Sequence, residues 1–179
     1  MRRRWTVAEL EAMVAAGILA EDERLELIGG EVVPMSPKGN RHEMLKRALL
    51  RFLFEKLPRN FDFLPETTLR FNDDTFCEPD IVVFPKALSV SEMRADNLAL
   101  VIEIADRTLA YDLGRKAELY AKYGVRELWV IDAIGLGTRT HLEPSLTGYR
   151  HAQDWPAAHP VTASLIDGLS MTLSTFELR

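Results

Sequence analysis

With a single cysteine, Cys77, in 179 residues, the chain cannot be a disulfide-stapled scaffold. Cys77 reads as a small packed thiol in a reducing cytoplasm. No apolar run reaches the length of a membrane span, and the opening Met1-Arg2-Arg3-Arg4 lacks the apolar stretch of a secretion signal. The expectation is a cytoplasmic protein with no membrane partner. A Walker loop, a dinucleotide glycine fingerprint, Cys–His zinc spacing and a Gly-x-Ser-x-Gly elbow are all missing. These absences argue against nucleotide-dependent enzymes and serine hydrolases. No internal repeat, linker or low-complexity tract appears. The remaining composition, 47% hydrophobic and 27% charged, is that of an ordinary globular protein. The length predicts one domain over residues 1–179.

Net positive charge is also missing. Twenty-two Lys and Arg against 27 Asp and Glu give −5, the wrong sign for a surface that attracts nucleic acid everywhere. The charge is unevenly spread, however. Residues 38–59 carry seven positive and two negative side chains, +5, and residues 107–126 carry five and two, +3. Between them, residues 60–106 carry three and ten, −7. Two basic segments thus bracket an acidic one.

Thr6 reads as a helix cap before Val7, Leu10, Met13 and Val14 at helical spacing, with Gly17 closing the helix. Arg24–Ile28 and Glu31–Met35, separated by Gly29-Gly30, predict a β-hairpin. A loop over Ser36–Asn40 leads into a long amphipathic helix from Arg41 to Leu57. Extended chain follows over Phe61–Phe71, with a break near Pro65 and a turn at Asn72-Asp73-Asp74. Ile81–Phe84, Leu100–Ile104 and Leu128–Asp132 read as strands, and Asp112–Tyr123 reads as a helix ending at Gly124. The final strand–helix–strand predicts a parallel crossover. Beyond it the strand signals are weak, strongest near Val161 and Met171. The whole reads as mixed α/β around one central sheet.

Chemistry concentrates on Asp80 and Glu103. Glu103 is an ionisable residue inside the apolar strand Val101-Ile102-Glu103-Ile104, where a carboxylate must be paired, protonated or metal-bound. An exposed strand face or a buried salt bridge is the plain alternative. Two carboxylates on neighbouring strand ends can hold a hard divalent cation, and Mg²⁺ suits such a site. On a helical wheel over residues 112–123, Lys116 falls in the apolar arc with Leu113, Ala117, Leu119, Tyr120 and Tyr123, opposite Arg115, Glu118 and Lys122. It either snorkels outward or meets a buried anion.

His42 shares a helix face with Leu45, Leu49, Phe52 and Leu53, as a core histidine or as a residue reaching a cleft from the first turn. Glu26 alternates with Leu25 and Leu27, which predicts an exposed strand carboxylate. Glu78 is a supporting acid or a turn residue. Arg41, Lys46, Arg47, Arg51, Lys56 and Arg59 form either a solvated helix face or a phosphate-backbone contact.

These residues resemble the PD-(D/E)XK nuclease signature. The wider pattern is similar to the Uma-type family of restriction-endonuclease-like proteins, formerly a domain of unknown function. Its landmarks here are Leu25–Glu31, His42, Glu78-Pro79-Asp80-Ile81, Val101-Ile102-Glu103, Tyr111–Lys116, Tyr120 and Gly124–Asp132. The resemblance implies a restriction-endonuclease-like fold, a central mixed sheet flanked by helices with an N-terminal helix and hairpin. It implies Asp80 and Glu103 as ligands of Mg²⁺, for which Mn²⁺ substitutes. It also implies that Lys116 replaces the motif lysine, because the position two after Glu103 is Ala105, and that Glu26 and His42 line the same cleft. Around Ala105-Asp106-Arg107-Thr108 the chain departs from the Ser-Pro-like stretch of that family.

The expected activity is metal-dependent endonucleolytic hydrolysis of DNA phosphodiesters, with DNA as partner. The competing expectation is a catalytically inactive dimer of the same fold that binds nucleic acid or protein. A hydrolase of some other phosphate ester is a third. A homodimer is the fold-level expectation, helped by the apolar C-terminal segment.

Overall fold

The computed structural model describes residues 3–178. Met1, Arg2 and Arg179, the ends of the expected 1–179 domain, lie outside the described residues. In chain order the elements are α1 (Val7–Ala15), β1 (Leu25–Ile28), β2 (Glu31–Pro34), α2 (Asn40–Lys56), β3 (Phe61–Pro65), β4 (Leu69–Asn72) and β5 (Thr75–Cys77). Then come β6 (Ile81–Pro85), β7 (Leu100–Ala105), α3 (Leu109–Tyr111), a π turn (Asp112–Lys116), α4 (Ala117–Lys122) and β8 (Glu127–Asp132). The chain continues with β9 (Thr138–Ser145), β10 (Gly148–Trp155), β11 (Val161–Thr162) and β12 (Ser170–Met171). They fall into two compact units, one of Met1–Pro37 with Thr68–Glu78, the other of Lys38–Thr67 with Pro79–Arg179.

In the first unit α1 begins with a capping box. Thr6 Oγ1 accepts from Glu9 N–H, and the Glu9 carboxylate accepts from Thr6 N–H. Gly29 and Gly30 have φ of +58° and +77°, the left-handed values that a two-residue hairpin turn demands. The hairpin is not alone. Its sheet has the order β2-β1-β5-β4, all antiparallel. The three residues of β5 were too few to announce a strand, and they pair Phe76 with Leu27. Val7, Leu10 and Leu27 form the buried core of this unit.

The second unit is built on a six-stranded sheet of order β10-β9-β8-β7-β6-β3. Only β7 and β8 are parallel, the crossover expected of the strand–helix–strand pattern. All six residues of β7 are buried, so both sheet faces are covered there. Ile81, Val83, Leu100, Ile102, Ile104, Trp129 and Ile131 pack in one cluster with Leu45, Leu49 and Leu53 of α2. By strand alternation, Glu103 lies on the opposite face.

Two expectations change here. The C-terminal region contains two eight-residue strands, β9 and β10, that periodicity did not reveal. The apolar residues beyond them, Val161, Ile166, Leu169, Met171 and Leu173, belong to the same core cluster. They face their own chain and are not a ready-made dimer surface.

Candidate active site

β6 and β7 pair antiparallel, with Ile81 opposite Ile102 and Val82 opposite Val101. Asp80 lies one residue before β6, beside this ladder. The Ile104 N–H donates to Asp80 Oδ2 at 2.8 Å, which ties the carboxylate to the next strand. Asp80 is 5% exposed and Glu103 3%. Carboxylates this buried need compensating cations, and these arrive from two different elements.

Asp80 is served from the α2 side. His42, at the head of the buried stripe that continues through Leu45, Leu49 and Leu53, donates from Nε2 to Asp80 Oδ1 at 2.9 Å. Its Nδ1 lies 3.2 Å from Glu43 Oε1. Both readings of His42 are therefore met, since it is a packed residue and a member of the cluster. Lys38, in the loop before α2, also reaches Asp80 Oδ1, at 2.9 Å. Burial works to raise the Asp80 pKa. The His42 hydrogen bond and charge, the Lys38 charge and the Ile104 N–H outweigh it and hold the carboxyl well below the usual range.

Behind Asp80 the charges alternate. Glu66 accepts from Lys38 and, at 2.9 Å, from Lys46, which also bonds Glu43 at 2.8 Å. The hydrogen bond from Lys38, with help from Lys46, overcomes desolvation and lowers the Glu66 pKa to about 2. Lys46 is thus occupied inside the cluster and is not one of the outward basic residues. Arg41, Arg47, Arg51, Lys56 and Arg59 are exposed as expected.

Glu103 is served from the other face. Lys116 Nζ lies 2.9 Å from Glu103 Oε1, with both side chains nearly buried. Tyr120 Oη donates to the same oxygen. The inward placement of Lys116 holds, although the segment is not a regular α-helix. Residues 112–116 form a π turn between α3 and α4, a wide turn that is rare in proteins and frequent at functional sites. Lys116 and Tyr120, four apart, then share a face over Glu103.

Glu26 behaves differently from its alternation. It is 3% exposed, not a surface carboxylate, and Oε1 accepts the Glu78 N–H at 3.1 Å. Its neighbours Leu27 and Ile28 are buried as well, so both faces of β1 are covered and alternation loses its meaning. Glu78 pairs with Arg24 at 3.1 Å. These contacts lie within the first unit, whereas the pairs His42–Asp80 and Lys116–Glu103 belong to the second. Lys38 and Glu66 were not anticipated from spacing. Their only signal was the position of Lys38 at the start of the +5 segment.

The donor set can be tested against a metal. Among the described residues no group of three or more His, Cys, Asp and Glu side chains could hold an ion. Two carboxylates, with water for the remaining positions, are what Mg²⁺ takes. The ammonium groups of Lys38 and Lys116 against Asp80 and Glu103 mark where the site stabilises positive charge. Asp80 and Glu103 are donors of the type a hard divalent cation takes, each here held by an ammonium group.

No helix among the described residues is long and apolar enough to cross a membrane. Among solved structures, the chain is similar to the crystal structure of a putative nuclease belonging to DUF820 from Anabaena variabilis. The TM-score is 0.70 at 16% identity, covering 89% of this chain and 93% of that one. At that identity the likeness establishes the fold, a mixed α/β architecture. No curated protein matches the chain. The family model described as "Putative restriction endonuclease", Uma2, matches residues 7–173. The span takes in the first hairpin, Asp80, Glu103 and the π turn, and the chain belongs to the Uma2 family of putative restriction endonucleases.

Proposed function

We propose that the protein is a Mg²⁺-dependent endonuclease that hydrolyses DNA phosphodiester bonds at Asp80 and Glu103. The observation that carries this reading is a pair of buried carboxylates on neighbouring segments, Glu103 within β7 and Asp80 just before β6 and bonded to the Ile104 N–H, each matched to a lysine. They would hold the cation, which when bound supplies Lewis-acid polarisation of the scissile phosphate. Lys116, paired with Glu103, would offset charge that develops on the phosphoryl oxygens. His42 and the Ile104 N–H hold Asp80 ionised and fixed in orientation. The exposed Arg41, Arg47, Arg51, Lys56 and Arg59 are placed to bind the DNA backbone, in a salt-dependent manner.

The test is cleavage of supercoiled plasmid with Mg²⁺ or Mn²⁺, together with calorimetric metal titration. Asp80→Ala and Lys116→Ala are expected to abolish cutting. Glu103→Gln is expected to remove metal binding. Undiminished cutting by the first two variants would refute the assignment.

One observation favours a second reading, a non-catalytic nuclease-fold module. Both oxygens of Asp80 already have protein partners, and so does Glu103 Oε1. Under that reading the ion pairs close the site. No heat of metal binding would be seen at millimolar Mg²⁺, and DNA or protein binding would survive Asp80→Ala.

A further inference from the structure

The six-stranded sheet has two edges, and they differ. β3 is five residues long and ends at Pro65, which has no N–H to offer a neighbour. β10 runs for eight residues without proline, Gly148 to Trp155. It pairs with β9 on one side only, and Arg150 through Asp154 are exposed. A strand of this length at an edge presents a row of outward N–H and C=O groups, a template for another strand.

The side chains of β10 read as their own complement. Take a second copy paired antiparallel about a two-fold axis through Ala152. Arg150 then faces the partner subunit's Asp154, and His151 faces the partner subunit's Gln153. Tyr149 faces the partner subunit's Trp155, and the small Ala152 meets itself at the axis. Opposite charges and aromatic pairs directly across an antiparallel ladder are favourable combinations, and the symmetry supplies each of them twice. The register holds whichever alternate set of backbone groups faces outward, because the axis passes through a residue position. Asp154 already lies 3.7 Å from Arg139 on β9. The new contact would place it between two arginines.

We propose that β10 is a homodimerisation edge, where two copies join their six-stranded sheets into one continuous twelve-stranded sheet through antiparallel β10 pairing. The charge pattern selects a second copy over an unrelated strand, since it is complementary to its own reversal. The proposal does not depend on whether the Asp80–Glu103 site is catalytic.

The experiment is light scattering on the full chain eluting from a sizing column. The wild type is expected at twice the chain mass of 20.3 kDa. Asp154→Arg sets arginine against arginine and is expected to halve the mass. The double reversal Arg150→Asp with Asp154→Arg restores the complement and is expected to return it to the dimer. Circular dichroism of each variant separates loss of pairing from loss of fold. As a second measurement, Ala152→Cys should form a disulfide-linked dimer under oxidation, because each Cβ meets its own symmetry mate, whereas His151→Cys should not. A wild-type monomer at high micromolar concentration would overturn the proposal. So would a dimer that Asp154→Arg leaves intact, or cross-linking that is equal at positions 151 and 152.

Discussion

Lys116 Nζ sits 2.9 Å from Glu103 Oε1, and the two side chains are only 6% and 5% exposed. A buried pair of this kind is far more costly to break than to replace. Glu103→Gln and Lys116→Met are each expected to cost on the order of 3 kcal/mol of unfolding free energy, because each leaves a buried charge without its partner. The double variant is expected to cost clearly less than the two together. Urea unfolding of the four proteins completes the cycle, and additive losses would show that the pair is not coupled.

Tyr120 and Tyr149 offer a contrast between a charged and a neutral acceptor. Tyr120 Oη donates to the Glu103 carboxylate, and Tyr149 Oη donates to the Val125 carbonyl at 2.8 Å. Hydrogen bonds to ionised groups are the stronger kind. Tyr120→Phe is expected to cost about 2 kcal/mol and Tyr149→Phe about 1 kcal/mol, measured by denaturant melts.

His141 governs the mildly acidic range. It is buried, its Nε2 has no hydrogen-bond partner, and it packs on Tyr149 with ring centroids 5.3 Å apart. Burial, reinforced by the nearby Arg139 charge, lowers its pKa to about 4. The unfolded chain therefore binds this proton first as pH falls, starting near the ordinary histidine value of about 6.5. Stability from this group is full above that value and declines toward pH 4. The expected outcome is a melting temperature that drops over this window in the wild type and drops less in His141→Leu. A shift titration of the His141 ring by NMR gives the pKa directly.

The hairpin turn separates two glycines that look alike in sequence. Both have positive φ, but a Cβ on Gly29 meets nothing within 4 Å, while one on Gly30 would lie 2.7 Å from Arg4 Cβ and 3.1 Å from Trp5 backbone atoms. Gly29→Ala is expected to cost about 1 kcal/mol, the left-handed penalty alone. Gly30→Ala is expected to cost clearly more and to perturb the Trp5 N–H bond to Gly30 O, now 2.8 Å. Tryptophan fluorescence alongside thermal melts reads both effects.

The buried strands were legible because β6, β7 and β8 are nearly all apolar, as strands covered on both faces must be. The same argument exposed Glu103, the one acid inside β7. β10 escaped notice for the opposite reason. An edge strand reading Gly-Tyr-Arg-His-Ala-Gln-Asp-Trp is exposed on both faces over its middle five residues and has no apolar rhythm. Alternation misplaced Glu26 because it presumes one wet face, and β1 has none. The wheel turned Lys116 inward correctly, but no composition marks a π turn, so the local widening stayed hidden. Lys38 and Glu66 join the site through ion pairs between a loop and the edge-strand region, which local spacing does not encode.

The order in which the core of the second unit is assembled has a consequence for biosynthesis. Ile81, Val83, Ile102 and Trp129 share their cluster with Val161, Ile166, Leu169, Met171 and Leu173, residues made some 30 positions or more after Trp129. A nascent chain that has not yet released residue 173 from the ribosome holds the sheet with part of its apolar surface bare. Ribosome stalling or premature stop codons after β10 would therefore yield products recognised by chaperones and proteases, while the first unit, complete by residue 78, has all its own residues in hand.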